Sequence, residues 1–273
     1  MLQKNYHTHT YRCQHATGDV IDYANAAIDA GLTTLGMSDH AAMPDNRWIN
    51  VRMSMPELDD YEEAIELARE QCPDLTILKG MECEYVEDFH SYLEDELLGK
   101  RGFDYLIGAG HYTPFEGGWL NSFEELNKAA HLRAYASFLG RIMSTGLFVF
   151  IAHPDIFGCS NDKWNDDLTE CSHDILQAAV DTGVPLEING LGLRKIPKQT
   201  SEGPRPQYPW IPFWEIAQEY PIKVICNSDA HHPKDVAGKL GETEQLARKF
   251  NLNLLFSDVM VIWVTLNKKL RQK

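Results

Sequence analysis

Short apolar runs alternate with helical patterns along most of the chain. Strands are predicted at residues 6–10, 32–37, 75–81, 104–109, 147–152, 185–188 and 222–226. Helices are predicted at residues 19–30, 55–71, 89–98, 123–144, 175–182, 213–218 and 235–249. Strands that alternate with helices in this way are typical of a parallel sheet covered by helices. We therefore expect an α/β fold, and within that class a distorted, TIM-like (β/α)7 barrel.

The chain shows no sign of a division into separate domains. It contains no internal repeat and no low-complexity linker, so residues 1–273 are predicted to form a single domain. No Gly-x-Gly-x-x-Gly motif follows a predicted strand, which argues against a dinucleotide-binding fold. The proline-containing stretch 195–208 is predicted to be a long loop, and long loops in compact domains are often functional.

The balance of charge and the apolar content exclude several kinds of partner. The chain has 40 acidic and 25 basic side chains and a net charge of −15, so we expect no binding of nucleic acid over a basic face. The late apolar run Val259–Leu266 falls short of the roughly 20 residues of a membrane span, and it is predicted to be core or a packing surface. None of the six cysteines forms a Cys-x-x-Cys pair, which favours a reduced protein of the cytoplasm.

Side chains that can bind metals lie near the ends of the predicted strands or directly after them. These candidates are His7, His9, His15, Asp39, His40, Glu82, Glu84, His111, His153, Asp229 and His231. Because the strand ends of a barrel meet at one face, where active sites lie, we expect these side chains to converge. Three other histidines, His90, His131 and His173, lie in predicted helices and are expected to be structural, and His232 is expected to be exposed.

Seven histidines with Glu82 and Asp229 are too many ligands for one ion. Zinc takes about four protein ligands in structural sites and about three in catalytic sites. Nine ligands with one bridging carboxylate fit two or three ions, and imidazole with carboxylate suits zinc, iron or manganese. Such ions would supply the local positive charge that phosphate chemistry needs in so acidic a protein.

Several ordered segments carry a resemblance to a known family. They are His-Thr-His at 7–9, Cys-Gln-His-Ala at 13–16, Ser-Asp-His at 38–40, Gly-Met-Glu at 80–82, Gly-His-Tyr at 110–112, Ala-His-Pro at 152–154 and Asn-Ser-Asp-Ala-His at 227–231. In this order they resemble the polymerase-and-histidinol-phosphatase (PHP) family. Other stretches resemble its histidinol-phosphatase branch, namely residues 52–55, 187–189, 192–195 and 208–209.

The resemblance implies a distorted (β/α)7 barrel that holds three divalent ions of zinc, iron or manganese. Its motifs would assign His7, His9, Glu82 and Asp229 to one ion, Glu82, His111 and His153 to a second, and His15, His40 and His231 to the third. It also implies hydrolysis of a phosphate monoester, L-histidinol phosphate to L-histidinol and phosphate, in histidine biosynthesis. A hydroxide activated by the metals would attack phosphorus in line.

Four residues are expected to contact the substrate. Arg194 is the first candidate for the phosphate, because a guanidinium can donate two hydrogen bonds to it. Arg52 and Lys195 are weaker candidates, for which a surface charge is the competing interpretation. Asn189, at the end of the sixth predicted strand, either contacts the substrate or braces the following loop.

The sequence leaves open which group protonates the leaving alcohol. Asp39 is a candidate, but as the neighbour of His40 it is also placed to orient that ligand, and Glu84 could serve in either way.

The sequence also allows other functions. These are a PHP-type phosphodiesterase or nuclease, a phosphatase for another small monoester, an inactive metal-binding protein, or a deaminase barrel. A nuclease would need a basic groove, for which the sequence offers no cluster of Lys and Arg. The oligomeric state is also left open.

Overall fold

The structure, a computed structural model, describes residues 3–255. By their internal contacts these residues divide into two compact units. The first unit contains residues 3–107 and 227–241, and the second contains residues 108–226 and 242–255. The predicted packing run Val259–Leu266 lies outside the described residues, and the single domain over residues 1–273 stays a prediction.

The first unit is built on neighbouring strands covered by helices. In sheet order the strands are β1 (Lys4–Asn5), β2 (Thr34–Met37), β3 (Thr76–Glu84) and β4 (Tyr105–Ala109), whose last two residues belong to the second unit. The helices are α1 (Val20–Asp29), α2 (Glu57–Gln71) and a π-helix at Tyr92–Lys100. β1 pairs with β2, and β2 with β3, in parallel register. Asp19, the first residue of the helix predicted at 19–30, is the N-cap of α1 and forms a capping box with Asp22.

A glycine in β2 lets a buried tyrosine cross the sheet of the first unit. A Cβ at Gly36 would lie 2.1 Å from the hydroxyl oxygen of Tyr105, so a larger residue has no room there. The Tyr105 hydroxyl donates a hydrogen bond to the carbonyl oxygen of Tyr6 at 2.7 Å. This bond fixes the segment that directly precedes His7.

The second unit contains two small hairpins beside its parallel strands. The strands are β5 (Tyr112–Phe115), β6 (Gly118–Asn121), β7 (Phe148–Ile151), β8 (Leu186–Asn189), β9 (Lys198–Thr200), β10 (Gly203–Arg205), β11 (Lys223–Asn227) and β12 (Asn253–Leu254). The helices are α3 (Ala129–Ser144), α4 (Asp166–Thr182), α5 (Leu191–Arg194), α6 (Ile211–Ala217) and α7 (Leu240–Lys249). β7–β8 and β11–β12 are parallel pairs, whereas β5–β6 and β9–β10 are antiparallel. The apolar faces of α3 and α4 pack against each other.

The first strand is shorter than the sequence predicts. The pattern indicates a strand at 6–10, but the regular ladder covers only β1, and Thr8 forms an isolated bridge with Ala230. The backbone N–H of His9 donates to the carbonyl of Ala230 at 2.9 Å. The segment therefore stays extended, but it pairs with the chain that follows β11 outside a regular strand.

Local turn chemistry accounts for the other differences from the predicted elements. The helix expected from 123 begins at Ala129, because the β5–β6 hairpin and a turn occupy the preceding residues. The loop expected at 195–208 contains the β9–β10 hairpin. The helix expected at 175–182 begins at Asp166, where Asn165 accepts a hydrogen bond from Leu168 N. β12 adds a parallel strand to the seven expected.

Candidate metal centre

The first unit brings together seven of the nine predicted ligands. These are His7, His9, His15, His40, Glu82, Asp229 and His231. They come from the segment after β1, the ends of β2 and β11, and β3 itself. Glu82 enters the group because its backbone forms an isolated bridge with His40. The parallel order of the strands thus carries distant parts of the chain to one place.

Two carboxylates lie among the imidazoles at short range. Glu82 Oε2 is 3.0 Å from His40 Nδ1 and 3.4 Å from His7 Nε2. Asp229 Oδ1 is 3.1 Å from His9 Nε2 and 3.6 Å from His7 Nε2. All five side chains are buried. Nitrogen and oxygen donors from four strands therefore face one another inside the first unit.

A second group of rings adjoins the first. The Nε2 atoms of His15 and His231 are 3.1 Å apart, and the His231 ring stacks on His9 with 4.2 Å between centroids. His15 Nδ1 is 2.7 Å from the carbonyl oxygen of Cys13. Because Nδ1 of His15 is used in this way, its Nε2 is the nitrogen turned toward His231.

The charges of this cluster balance internally. Burial lowers the pKa of His9, but Asp229 and Asp39 outweigh burial and raise that pKa to about 9. The histidines around Asp229 hold its carboxyl pKa well below the usual range despite burial. Burial and the neighbouring His9 charge lower the pKa of both His15 and His231. Asp229, His15 and His231 are therefore in the form that binds a cation, whereas metal binding would displace the proton on His9.

The spacing of the donors fits divalent metal ions. Ligand atoms of His7, His9 and Glu82 all lie within 4.8 Å of one another, as do those of His9, His40 and His231. A tetrahedral ion with bonds near 2.0–2.1 Å would separate its ligand atoms by about 3.3 Å. The separations of 3.0–3.6 Å around Glu82 and Asp229 match this value. Imidazole and carboxylate donors are also the set that zinc, iron and manganese accept.

Cys13 is a neighbour of this group that the sequence reasoning missed. Its sulfur lies within 4.8 Å of ligand atoms of His15 and His231. Burial raises the pKa of the Cys13 thiol, which favours the protonated form of this side chain. Its place in the segment Cys-Gln-His-Ala, two residues before His15, was the signal that could have identified it.

Asp39 contacts a different histidine from the one expected. Its Oδ2 accepts hydrogen bonds from the N–H and hydroxyl of Thr10 at 2.9 and 2.5 Å. Its Oδ1 accepts from the backbone N–H of His40 at 2.8 Å and lies 3.6 Å from His9 Nδ1. The side chain of Asp39 therefore faces the ring of His9, and only the backbone of His40. The reason is that the isolated pairing of His40 with Glu82 turns the His40 ring toward β3.

Arg52 is not a surface charge. Its side chain is 1% exposed, and Nη1 donates to the carbonyl oxygen of Ala41 at 3.2 Å. Nη2 lies 3.8 Å from Glu84 Oε1, and the guanidinium lies over the ring of Trp48. The turn at 52–55 is drawn inward because Met53 beside it is fully buried.

The second unit contains the other two predicted ligands. The Nε2 atoms of His111 and His153 are 3.1 Å apart. His153 has a positive φ of 28°, and its N–H donates to the buried Glu187 at 3.0 Å. Asn189 Nδ2 donates to the same carboxylate at 2.7 Å, and its Oδ1 accepts from Leu191 N at 2.8 Å. These contacts fit the bracing role expected for Asn189, and contact with the substrate stays a prediction.

Aromatic rings surround this histidine pair. Phe123 stacks on His111 at 5.6 Å, and Tyr208 meets His153 edge to face at 5.7 Å. Lys195 Nζ lies 4.8 Å from the Phe123 centroid and 5.1 Å from that of Tyr208. Phe123 was missed because an aromatic residue at the start of a predicted helix is ordinary core.

Arg194 is the last residue of the short helix α5 and is half-buried. This helix lies against the backbone of Tyr208, because a Cβ at Gly192 would overlap the Tyr208 carbonyl oxygen. Arg194 and Lys195 therefore lie on a segment that packs against Tyr208. Tyr208 and Phe123 together form what we call the aromatic wall of the second unit.

The remaining histidines have ordinary surroundings, as expected. His131 Nδ1 is 2.6 Å from the carbonyl of Glu125, and His173 Nδ1 is 2.7 Å from the Tyr220 hydroxyl. His90 contacts Tyr85, and His232 is exposed beside Thr17. All six cysteines are free thiols. Within residues 3–255, no helix has the length and apolar character that crossing a membrane requires.

Known proteins resemble this chain over most of its length. The family model of the PHP domain matches residues 5–190. A protein of Deinococcus radiodurans named probable histidinol-phosphatase is 30% identical over 249 residues, which cover 86% of this chain and 89% of the relative.

Two solved structures share its fold. HisK of Listeria monocytogenes superposes with a TM-score of 0.68 at 20% identity, over 85% of this chain and 97% of the other. Histidinol phosphate phosphatase of Lactococcus lactis, solved with zinc, L-histidinol and phosphate, superposes with a TM-score of 0.70 at 16% identity. The match covers 93% of this chain and 96% of the other. These likenesses confirm the predicted α/β fold class of the distorted-barrel kind.

Proposed function

This chain belongs to the PHP-domain family, and we propose that it is a metal-dependent phosphatase that hydrolyses L-histidinol phosphate to L-histidinol and phosphate. The observation that carries the proposal is the buried group of imidazoles and carboxylates in the first unit. The Deinococcus relative, 30% identical, supports the choice of substrate, and so does the Lactococcus enzyme solved with L-histidinol and phosphate.

Three divalent ions of zinc, iron or manganese are proposed as cofactors. The proposed ligands in the first unit are His7, His9, His15, His40, Glu82, Asp229 and His231, and those in the second unit are His111 and His153. Such ions supply Lewis acidity, which activates water and stabilises negative charge on phosphoryl oxygens. The low pKa of Asp229 supports this role, because its carboxyl stays ionised and attracts cations across the neutral pH range.

Arg194 and Lys195 are proposed to bind the phosphate group. The rings of Phe123 and Tyr208 hold the Lys195 ammonium from two sides, so little side-chain freedom is lost when an anion binds. Arg52 is a further candidate, because its buried Nε makes no hydrogen bond among the described residues. Asn189 is proposed to brace the segment that carries Arg194 and Lys195, through its hydrogen bonds to Glu187 and Leu191.

The proposed location is the cytoplasm, and the proposed partner is the small phosphate ester alone. Six free thiols, five of them with a pKa that burial raises, suit a reducing compartment. The net charge of −15 disfavours nucleic acid as a substrate.

An assay of phosphate release tests the function directly. Protein loaded with zinc, iron or manganese is offered L-histidinol phosphate, p-nitrophenyl phosphate and single-stranded DNA at equal concentration. We expect L-histidinol phosphate to give the highest kcat/KM and the DNA to stay intact. Glu82→Gln should abolish release, whereas Glu63→Gln on the exposed side of α2 should have no effect. Cleavage of DNA, or no release from any monoester, would contradict the proposal.

A further inference from the structure

A row of hydrogen bonds leads from two helices to Asp39, whose carboxylate lies 3.6 Å from Nδ1 of the His9 ring. We propose that Arg12 and Thr10 are positioning residues that fix the His9 imidazole through Asp39. The inference rests on the proposed function in one respect, namely that His9 is a metal ligand. Nothing in the sequence motifs assigns a role to either residue.

Arg12 is fixed at its outer end by two helices. Its Nη1 donates to Asp19 at 2.6 Å, and its Nε and Nη2 donate to Asp60 at 2.8 and 2.6 Å. Asp19 is the N-cap of α1, and Asp60 lies in the first turn of α2. The guanidinium is buried, although Asp60 is 59% exposed. Two acidic residues on separate helices therefore hold one cation beneath the surface.

The inner side of Arg12 reaches Thr10. Nη1 also donates to the Thr10 hydroxyl oxygen at 3.3 Å. Because a guanidinium cannot accept a hydrogen bond, the hydroxyl hydrogen of Thr10 must point elsewhere. It points to Asp39 Oδ2, which lies 2.5 Å away. The backbone N–H of Arg12 donates to the same oxygen at 3.4 Å, so both donors of Arg12 direct the Thr10 hydroxyl hydrogen toward Asp39.

The bonds from Thr10 orient the carboxylate of Asp39 toward His9. Oδ2 is occupied by the N–H and the hydroxyl of Thr10, which leaves Oδ1 beside His9 Nδ1 at 3.6 Å. A carboxylate next to Nδ1 favours the proton on that nitrogen and leaves Nε2 for an ion. His9 Nε2 is the atom that faces Asp229 and Glu82, at 3.1 and 3.6 Å. This row of hydrogen bonds therefore places the proton of the neutral His9 ring on Nδ1. It also sets the angle at which Nε2 faces Asp229 and Glu82.

A pair of substitutions at Thr10 separates this role from general stability. Thr10→Val removes the hydroxyl at almost constant volume, and Thr10→Ser retains it. Arg12→Met removes the guanidinium that donates to Thr10, so it breaks the same row of hydrogen bonds one contact before Thr10. Arg69→Met serves as control, since Arg69 also joins α2 to another element, through Asp104 at 2.9 Å, but contacts none of the candidate ligands. Folding of each variant is checked by circular dichroism.

Two readouts are needed. The first is the dissociation constant for Co²⁺, measured by competition with a chromophoric chelator. We expect Thr10→Val and Arg12→Met to bind the metal about tenfold more weakly or worse, and Thr10→Ser and Arg69→Met to resemble the wild type. The second is the ¹⁵N shift of the His9 ring in the metal-free protein at a pH above the His9 pKa of about 9, where the ring is neutral and the protonated nitrogen can be identified. It should move in Thr10→Val and stay in place in Thr10→Ser.

Wild-type affinity together with an unchanged His9 signal in Thr10→Val would overturn the inference. Equal losses in Thr10→Ser and Thr10→Val would do so too, because the hydroxyl would then not be the operative group. A wild-type protein that binds no divalent ion would contradict the proposed function instead. In that case the ring signal of His9 would still decide the inference, since it is measured without metal.

Discussion

The candidate ligands of the first unit and those of the second are surrounded in opposite ways. In the first unit, five histidines face two carboxylates, and ion-pair distances of 3.0–3.6 Å dominate. In the second, His111 and His153 lie against two aromatic rings with a lysine ammonium above them. Acidic surroundings favour cations, whereas aromatic rings with a half-buried lysine ammonium favour an organic anion.

This difference suggests that the two units have different roles, metal binding in the first and substrate contact in the second. The first unit has the charge and the donors to retain ions, and its ligands are held by other buried polar groups. The second unit offers less negative charge and a mixed apolar and cationic wall around its histidine pair, which suits contact with a substrate. Substitutions in the first unit should therefore lower metal content, and those in the aromatic wall should mainly raise KM.

Among the substitutions that compare the two units, the largest effect is expected for Asp229→Asn. The change removes a buried negative charge beside His7, His9 and His231, so the imidazoles lose the partner that balances a cation. We expect metal content to fall and kcat/KM to drop by more than about a hundredfold. Inductively coupled plasma mass spectrometry and the phosphate assay check this. Asp45→Asn, at an exposed site of the same unit, is the control. An active Asp229→Asn enzyme with full metal content would contradict the assignment of metal binding to the first unit.

A smaller effect is expected for Lys195→Met. The substitution keeps the contact with Phe123 and Tyr208 but removes the ammonium, so the phosphate group should bind less tightly. We expect KM to rise about tenfold with kcat and metal content little changed, which corresponds to about 1.4 kcal/mol of lost binding. Lys163→Met, whose side chain is largely exposed, should behave like the wild type. A fall in metal content of Lys195→Met would contradict the assignment of this wall to the substrate.

The smallest effect on activity is expected for Glu187→Gln. The buried carboxylate accepts hydrogen bonds from His153 N and Asn189 Nδ2 on the same oxygen, Oε2, and a glutamine amide can accept both only with a neutral oxygen. We expect the free energy of unfolding to fall by about 1–3 kcal/mol, because hydrogen bonds to a charged acceptor are stronger than those to a neutral one. Urea denaturation measures this change, with Glu170→Gln on the exposed side of α4 as the matched control. Equal stability of the two variants would show that Glu187 does not hold the strained His153 backbone.

Much of this architecture follows from the order of elements along the chain. The alternation of apolar runs and helical patterns predicts a parallel sheet, and the shared direction of parallel strands predicts that His7, His40, Glu82 and Asp229 lie close together. The donor residues themselves stand directly after predicted strands, so spacing alone identifies them. The N-cap Asp19 is equally visible in the sequence.

Other features depend on contacts between residues far apart in sequence. The burial of Arg52 depends on Ala41 and Glu84, and the facing of Asp39 toward His9 depends on Thr10. Neither has a periodic pattern that would reveal it. The hairpin β5–β6 is hidden in the sequence because its strands are short and only partly buried. Such features are decided by packing, which a single sequence does not display.

Anomalous scattering from crystals of the zinc-loaded protein tests the central claim most directly. Data collected on both sides of the zinc absorption edge locate each ion without reference to activity. The account predicts anomalous peaks between the imidazole and carboxylate donors of His7, His9, Glu82 and Asp229, at ligand distances near 2.0–2.2 Å. Fully loaded crystals without a peak among these four side chains would contradict it.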